Sequence, residues 1–193
     1  SSTNFINLMN DEFSLEIIKL VFPQLKNIDI FKKLNSFAKE NISKLDFIFL
    51  ISLMIIDGSD NPDYFFYKFN ISKKDQKRIS FLNDFFINKS DSQVFSKNKL
   101  EKILYFNGKQ SLMDLLYFKI FRSQKIDKKI LNFLSHFKEK EPPLLPLRAI
   151  TLMTKYNIPE GKKLGDKLRM IENKWVDNSF EISEKEVQEI INN

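Results

Sequence analysis

The chain of 193 residues predicts an all-α fold, an array of about ten short helices with no sheet. Three observations carry that expectation. Apolar residues recur at spacings of three and four along almost the whole length, the mark of one buried helical face, and strict alternation is scarce. Only four glycines occur, so helical stretches are seldom interrupted. Serine, aspartate and asparagine stand where apolar runs begin, the positions at which their side chains cap a helix.

Leu15, Ile18, Leu20 and Phe22 mark a first helix, which Pro23 ends by removing a donor and clashing with the preceding turn. Ile28, Phe31, Leu34 and Phe37 mark a second. A third runs from about Lys44 to Ile56, where LDFIFLISLMII is almost continuously apolar; it is shorter than the roughly 20 residues that cross a bilayer and reads as a central buried helix. Gly58 suits the C′ position after it, and Asn61-Pro62 suits the N-cap and first turn of the next helix, to about Phe69. Ser72, with Asp75 three residues on, caps a helix to about Ile87, and the polar run NKSDSQ at 88–93 reads as a loop. Further helices are expected near Lys97 to Phe106, with Gly108 as a stop, and at Ser111 to Arg122, Asp127 to Lys138, Leu147 to Tyr156, Glu160 to Asp177 and Ser183 to Ile191. Ser111, Asp127 and Ser183 are their candidate N-caps, and Ser183-Glu184-Lys185-Glu186 is a capping box. No fixed-period repeat is visible. One continuous helical unit is expected, with three stretches: 1–96, a basic 97–145, and a tail at 146–193.

Several chemistries are excluded. With no cysteine there is no disulfide framework, no thiolate nucleophile and no cysteine-bound metal site. The chain lacks a Gly-rich phosphate loop and a His-Glu-x-x-His pair, and its one histidine, His136, has no visible partner; it reads as a surface or partly packed helix residue. Asp57, Asp60 and Asp63 fall in a helix connection and read as caps rather than cation ligands. The 20 phenylalanines read chiefly as core. No catalytic residue, metal site or cofactor is assigned. The absence of a membrane-length run and of a signal-like start leads to an expectation of a cytoplasmic protein, and the initial serine is consistent with a start inside a longer one.

The formal net charge is +6, and its distribution is uneven: residues 1–96 balance to 0, residues 97–140 carry +7 and residues 141–193 carry −1. A basic stretch of this kind is either a nucleic-acid footprint or a solvated surface. Two of the four glycines sit in NIPEGKKLG, residues 157–165. Pro159 opens a helix or the turn before it, Gly161 takes an unusual φ or admits a close neighbour, and Gly165 on the same face permits close packing. A helix start offers unpaired N–H groups to phosphate, and Lys162 and Lys163 add to that field. The plainer reading is a tight helical hairpin with solvated lysines.

The tail holds an ordered pattern: Pro146-Leu147, then Leu152, then Ile158-Pro159, Gly161, Leu164-Gly165 and Leu168, and finally Trp175 before Asp177, Asn178 and Phe180. This resembles the C-terminal tail of bacterial CCA-adding enzymes, the tRNA nucleotidyltransferases of the poly(A) polymerase family. Upstream, YKFNISKKDQKRISFL at 67–82 and LEKILYFNGKQSLMDLLYFKIFRSQ at 100–124 resemble the family's body helices, so the likeness covers most of the chain. Ala149 and Thr151 stand where the family usually has Gly and Asp. The motifs of the catalytic head, a Gly-Ser pair and paired metal-binding aspartates, are missing here.

The resemblance implies a division of labour. The head would bind Mg2+ and CTP or ATP and extend the tRNA 3′ end; the present chain, without activity alone, would hold the acceptor and T-stem region and partner its own head. Phosphate contacts are expected first from Lys162, Lys163 and Lys167, then from Lys99, Lys102, Lys109 and Arg148, with Arg169 and Lys174 as further candidates. Pro146, Pro159, Gly161, Gly165 and Trp175 would shape the tail. Two other readings stay open: a helical protein-interaction domain, and a hairpin-type DNA-binding module.

Overall fold

The structure, a computed structural model, describes residues 11–88 and 95–192, and among these it has ten α-helical segments, two 3-10 turns and no strand. The expected loop at 88–93 lies almost wholly outside the described residues. The chain divides into two compact units, residues 1–141 and 142–193.

In the first unit, α1 (Glu12–Val21) starts at Asp11, whose carboxylate accepts from the Ser14 N–H at 3.0 Å. The expected second helix is instead a 3-10 turn, Ile28–Lys33, followed by the short α2 (Ser36–Asn41). Asn35 causes the division. Its side-chain oxygen accepts from the Ala38 N–H, and its amide donates to the Ile120 and Ser123 carbonyls at 2.9 and 2.8 Å, so α2 begins where Asn35 is tied to a distant part of the chain.

The apolar run forms α3 (Phe47–Ile55), capped by Asp46 and placed at the centre of the unit, where Phe49, Leu53 and Ile55 are buried. It packs on the 3-10 turn, on α4 (Asn61–Phe69), on α5 (Lys73–Asn88) and on α6 (Lys97–Arg122). The carbonyls at its C-terminal end find side-chain and backbone donors: the Asn27 N–H for Met54, the Asn61 amide for Ile55, and both the Asn27 amide and the Arg122 guanidinium for Ile56. Each would otherwise be an orphan of the helix end. Asn61 thus has a different role from the expected one: Asp60 holds the N-cap position, and the Asn61 amide bridges Gln24 and Ile55. Gly58, at φ +85°, lies two residues past the C-cap Ile56, one further than expected.

Ser72 and Asp75 cap α5 as expected. Within Lys97–Arg122 the helix breaks at Gly108, φ +78° and ψ 169°, as the sequence suggested; the second half starts directly after the break, so Ser111 lies inside it rather than at its cap. Helix α7 (Lys128–Lys138) is capped by Asp127 and packs along α6. Arg78 of α5 reaches Asp46 of the α3 cap at 2.8 Å and, with two N–H groups, Asp114 of α6, where Gln110 also donates.

The second unit is a three-helix array of α8 (Ala149–Tyr156), α9 (Lys162–Asp177) and α10 (Glu184–Asn192) around Leu152, Ile158, Leu164, Ile171 and Val187. The core residues of α9 recur along one face, as the sequence periodicity requires.

Candidate nucleic-acid interface

The NIPEGKKLG segment folds in three steps. Helix α8 ends at Asn157, which takes the left-handed conformation at φ +53° and directs the chain back so that Ile158 enters the core. Pro159 and Glu160 form an exposed turn; Pro159 precedes the helix and does not open it. Gly161 then occupies the N-cap position at φ +138° and ψ −165°, and its carbonyl accepts from the Gly165 N–H at 3.2 Å. That φ is one L side chains seldom adopt, so glycine is needed for the backbone path, not for a close neighbour: a Cβ here would meet nothing within 4 Å. Gly165 departs from expectation. It is exposed, and a Cβ there also meets nothing within 4 Å, so it does not serve close packing.

This start leaves α9 chemically open. Gly161 has no side chain with which to cap, the first turn has no acidic residue, and Lys162 and Lys163 are both exposed. Two ammonium groups at the positive end of a 16-residue helix work against its dipole, so helix stability does not account for them. An anion seated on the free N–H groups would make the same arrangement favourable.

The remaining candidates are distributed over both units. Lys167 is 8 % exposed and its ammonium donates to the Ile190 carbonyl at 2.7 Å, which ties α9 to the last turn of α10 and takes this lysine out of the open surface. Arg148 is exposed at the N-cap position of α8, so the length of that eight-residue helix, about 12 Å, lies between it and the turn. Arg169 is exposed, while Lys174 lies 3.8 Å from Glu186. Trp175 is buried with its ring 5.0 Å from that of Phe180, in an edge-on contact; Pro146 is exposed in the segment leading to α8.

In the first unit, Lys99 is exposed in the opening turn of α6, Lys102 is half-buried one turn on, and Lys109, just past the Gly108 break, lies 3.2 Å from Glu141. The start of α6 repeats the chemistry of α9: Ser96 makes no side-chain cap bond, the first turn has no acid, and Lys97 stands exposed beside Lys99. Lys97 was not singled out from the sequence, although Lys-x-Lys directly after a candidate cap is a readable signal. His136 is exposed with its ring against Phe137, and Asp57 is occupied by Ser59 and Lys26. Comparison with family models, with known proteins and with solved structures finds no match.

Proposed function

We propose that this chain holds tRNA, as the body and tail of a tRNA nucleotidyltransferase whose catalytic head performs CCA addition. The observation that carries the reading is the start of α9: Gly161 shapes an N-terminus with no side-chain cap, and Lys162 and Lys163 are exposed in its first turn, inside the tail pattern that resembles that family's. A-form RNA is gripped through phosphates and 2′-hydroxyls rather than base edges, so a helix end plus lysines is sufficient chemistry. Lys97 and Lys99 at the start of α6 supply a second point of the same kind. The reading assigns the Mg2+ and the CTP or ATP that is added to the head; among the described residues of this chain no group of three or more carboxylates or histidines is placed to hold a metal ion.

The test is tRNA affinity of the 193-residue chain as a function of salt. Lys162→Glu with Lys163→Glu is expected to weaken binding and to flatten the slope of log K against log salt by roughly 2. No tRNA binding at low salt, or an unchanged slope in the double variant, overturns the reading. Tighter binding of duplex DNA than of tRNA would favour the hairpin-type DNA module instead.

One observation favours a protein-interaction reading. Helix α1 leaves Phe13, Ile17, Leu20 and Val21 exposed, Leu20 at 82 %, which is an apolar stripe of the kind partner proteins cover. That reading expects affinity for a protein and none for tRNA.

A further inference from the structure

Between α5 and the second half of α6 lies a half-open cavity of about 590 Å³, within the size range of small-molecule sites. Its walls include the rings of Phe85, Phe86, Phe95 and Phe118, and its polar groups include Lys119 and Arg122. The rings meet one another tilted or edge-on, Phe86 against Phe118 at 6.3 Å and Phe85 against Phe95 at 6.0 Å, and Phe86 remains 39 % exposed toward solvent.

Arg122 is the unusual member. Its guanidinium lies 4.5 Å from the Phe86 ring centre and 5.3 Å from that of Phe118, and one N–H donates to the Ile56 carbonyl at 2.7 Å. Among the described residues no carboxylate forms an ion pair with it. The nearest acidic influence is Asp57, which is itself paired with Lys26 at 2.9 Å. Burial lowers the pKa of Arg122 from its usual value, with the charge of Asp57 acting the other way, yet an arginine keeps its proton in proteins, so a partly desolvated charge is held with no ion-pair partner among the described residues. Lys119 stands three residues earlier on the same helix, over Phe95 at 5.6 Å, also with no carboxylate partner among the described residues. Residues three apart on a helix are surface neighbours, and both cations line this one aromatic cavity.

We infer that this cavity binds a nucleoside monophosphate unit, with the base among the phenylalanine rings and the phosphate between Lys119 and Arg122. Two adjacent cations match a phosphate dianion better than a single carboxylate, which would neutralise only one of them. Phenyl walls favour a flat aromatic guest through stacking and edge contacts, and every base has a π-face to offer. The site is built wholly from the first unit and needs none of the tail lysines, so it stands or falls separately from the tail reading. The same chemistry is presented by a free nucleotide and by a single nucleotide of an unpaired strand.

The experiment is calorimetric titration of the 193-residue chain with AMP and UMP, with inorganic phosphate and hexyl phosphate as controls, and with amide chemical shifts to locate the site. AMP and UMP should bind with Kd about 1 mM or tighter and shift the amides around Phe86, Lys119 and Arg122, and Lys119→Glu should weaken them at least about tenfold. Phe86→Leu should weaken AMP while leaving inorganic phosphate unchanged. Lys119 is exposed, so its variant keeps the fold even where an Arg122 variant does not. A 5′-phosphorylated oligoadenylate bound more tightly than AMP assigns the site to a strand, and one bound more weakly assigns it to the free nucleotide. The inference is overturned if AMP and UMP do not bind, if hexyl phosphate binds as well as AMP, or if Lys119→Glu leaves the affinity unchanged.

Discussion

At Gly161 the backbone takes φ +138°, whereas Gly165, one turn later, is an ordinary helical residue. Identical residues four positions apart therefore answer to different physics, and substitution separates them. Gly161→Ala places a Cβ in a conformation it resists and is expected to cost about 1–2 kcal/mol. Gly165→Ala meets no atom within 4 Å and removes helix-disfavouring flexibility, so it should stabilise the protein by about 0.5–1 kcal/mol. Urea unfolding followed by far-ultraviolet circular dichroism checks both signs. Lys167 carries a related lesson. Its sequence neighbours Lys162 and Lys163 are solvated, but the helical turn places Lys167 against α10, where its charge meets a C-terminal carbonyl at the negative end of that helix. Residue type alone does not distinguish the two fates; helical phase does.

At the scale of elements, the caps at Asp127 and Ser183 were readable because the side chain bonds its own first turn, whereas Ser111 lies inside its helix. Asp127 holds the Lys129 and Ile130 N–H groups, and Ser183 and Glu186 exchange the bonds of a capping box. The Glu186 carboxyl is held down at about 2, first by the Ser183 backbone N–H, then by the Ser183 hydroxyl and the Asn178 amide. A carboxyl depressed from its ordinary 4.5 adds stability that is complete above that value and is lost as pH falls from there through about 2. The melting temperature of the protein is therefore expected to fall more steeply across that window than that of Glu186→Gln, as thermal melts at successive pH values will show. Side-chain amides that bond distant carbonyls were not readable. Asn35 splits an apparently continuous helical pattern because its amide bonds carbonyls 85 and 88 residues away, and Asn61 gives up its expected cap to bridge Gln24 and Ile55. Nothing in a local window encodes partners so remote.

For the molecule as a whole, the all-α architecture followed from periodicity because each helix must bury one face, and α3 took the centre because it has almost no polar face to expose. The aromatic cavity was not visible in this way, since Phe86 and Arg122 are brought together only by the packing of α5 on α6. The Arg78 cluster likewise joins three elements, and Asp114 is 3 % exposed beneath it. Arg78→Met would leave a buried charge uncompensated and is expected to cost about 3–5 kcal/mol, whereas Arg78→Met with Asp114→Leu should recover much of that loss, as the denaturation midpoints of the two variants will show. The tail pattern was legible as spacing, and its geometry has one more use. Trp175 is the only indole in the chain, it belongs to residues 142–193, and its ring is shielded beside Phe180. Red-edge ultraviolet excitation therefore illuminates the second unit alone, and the molecule carries its own optical label for whatever reaches its tail.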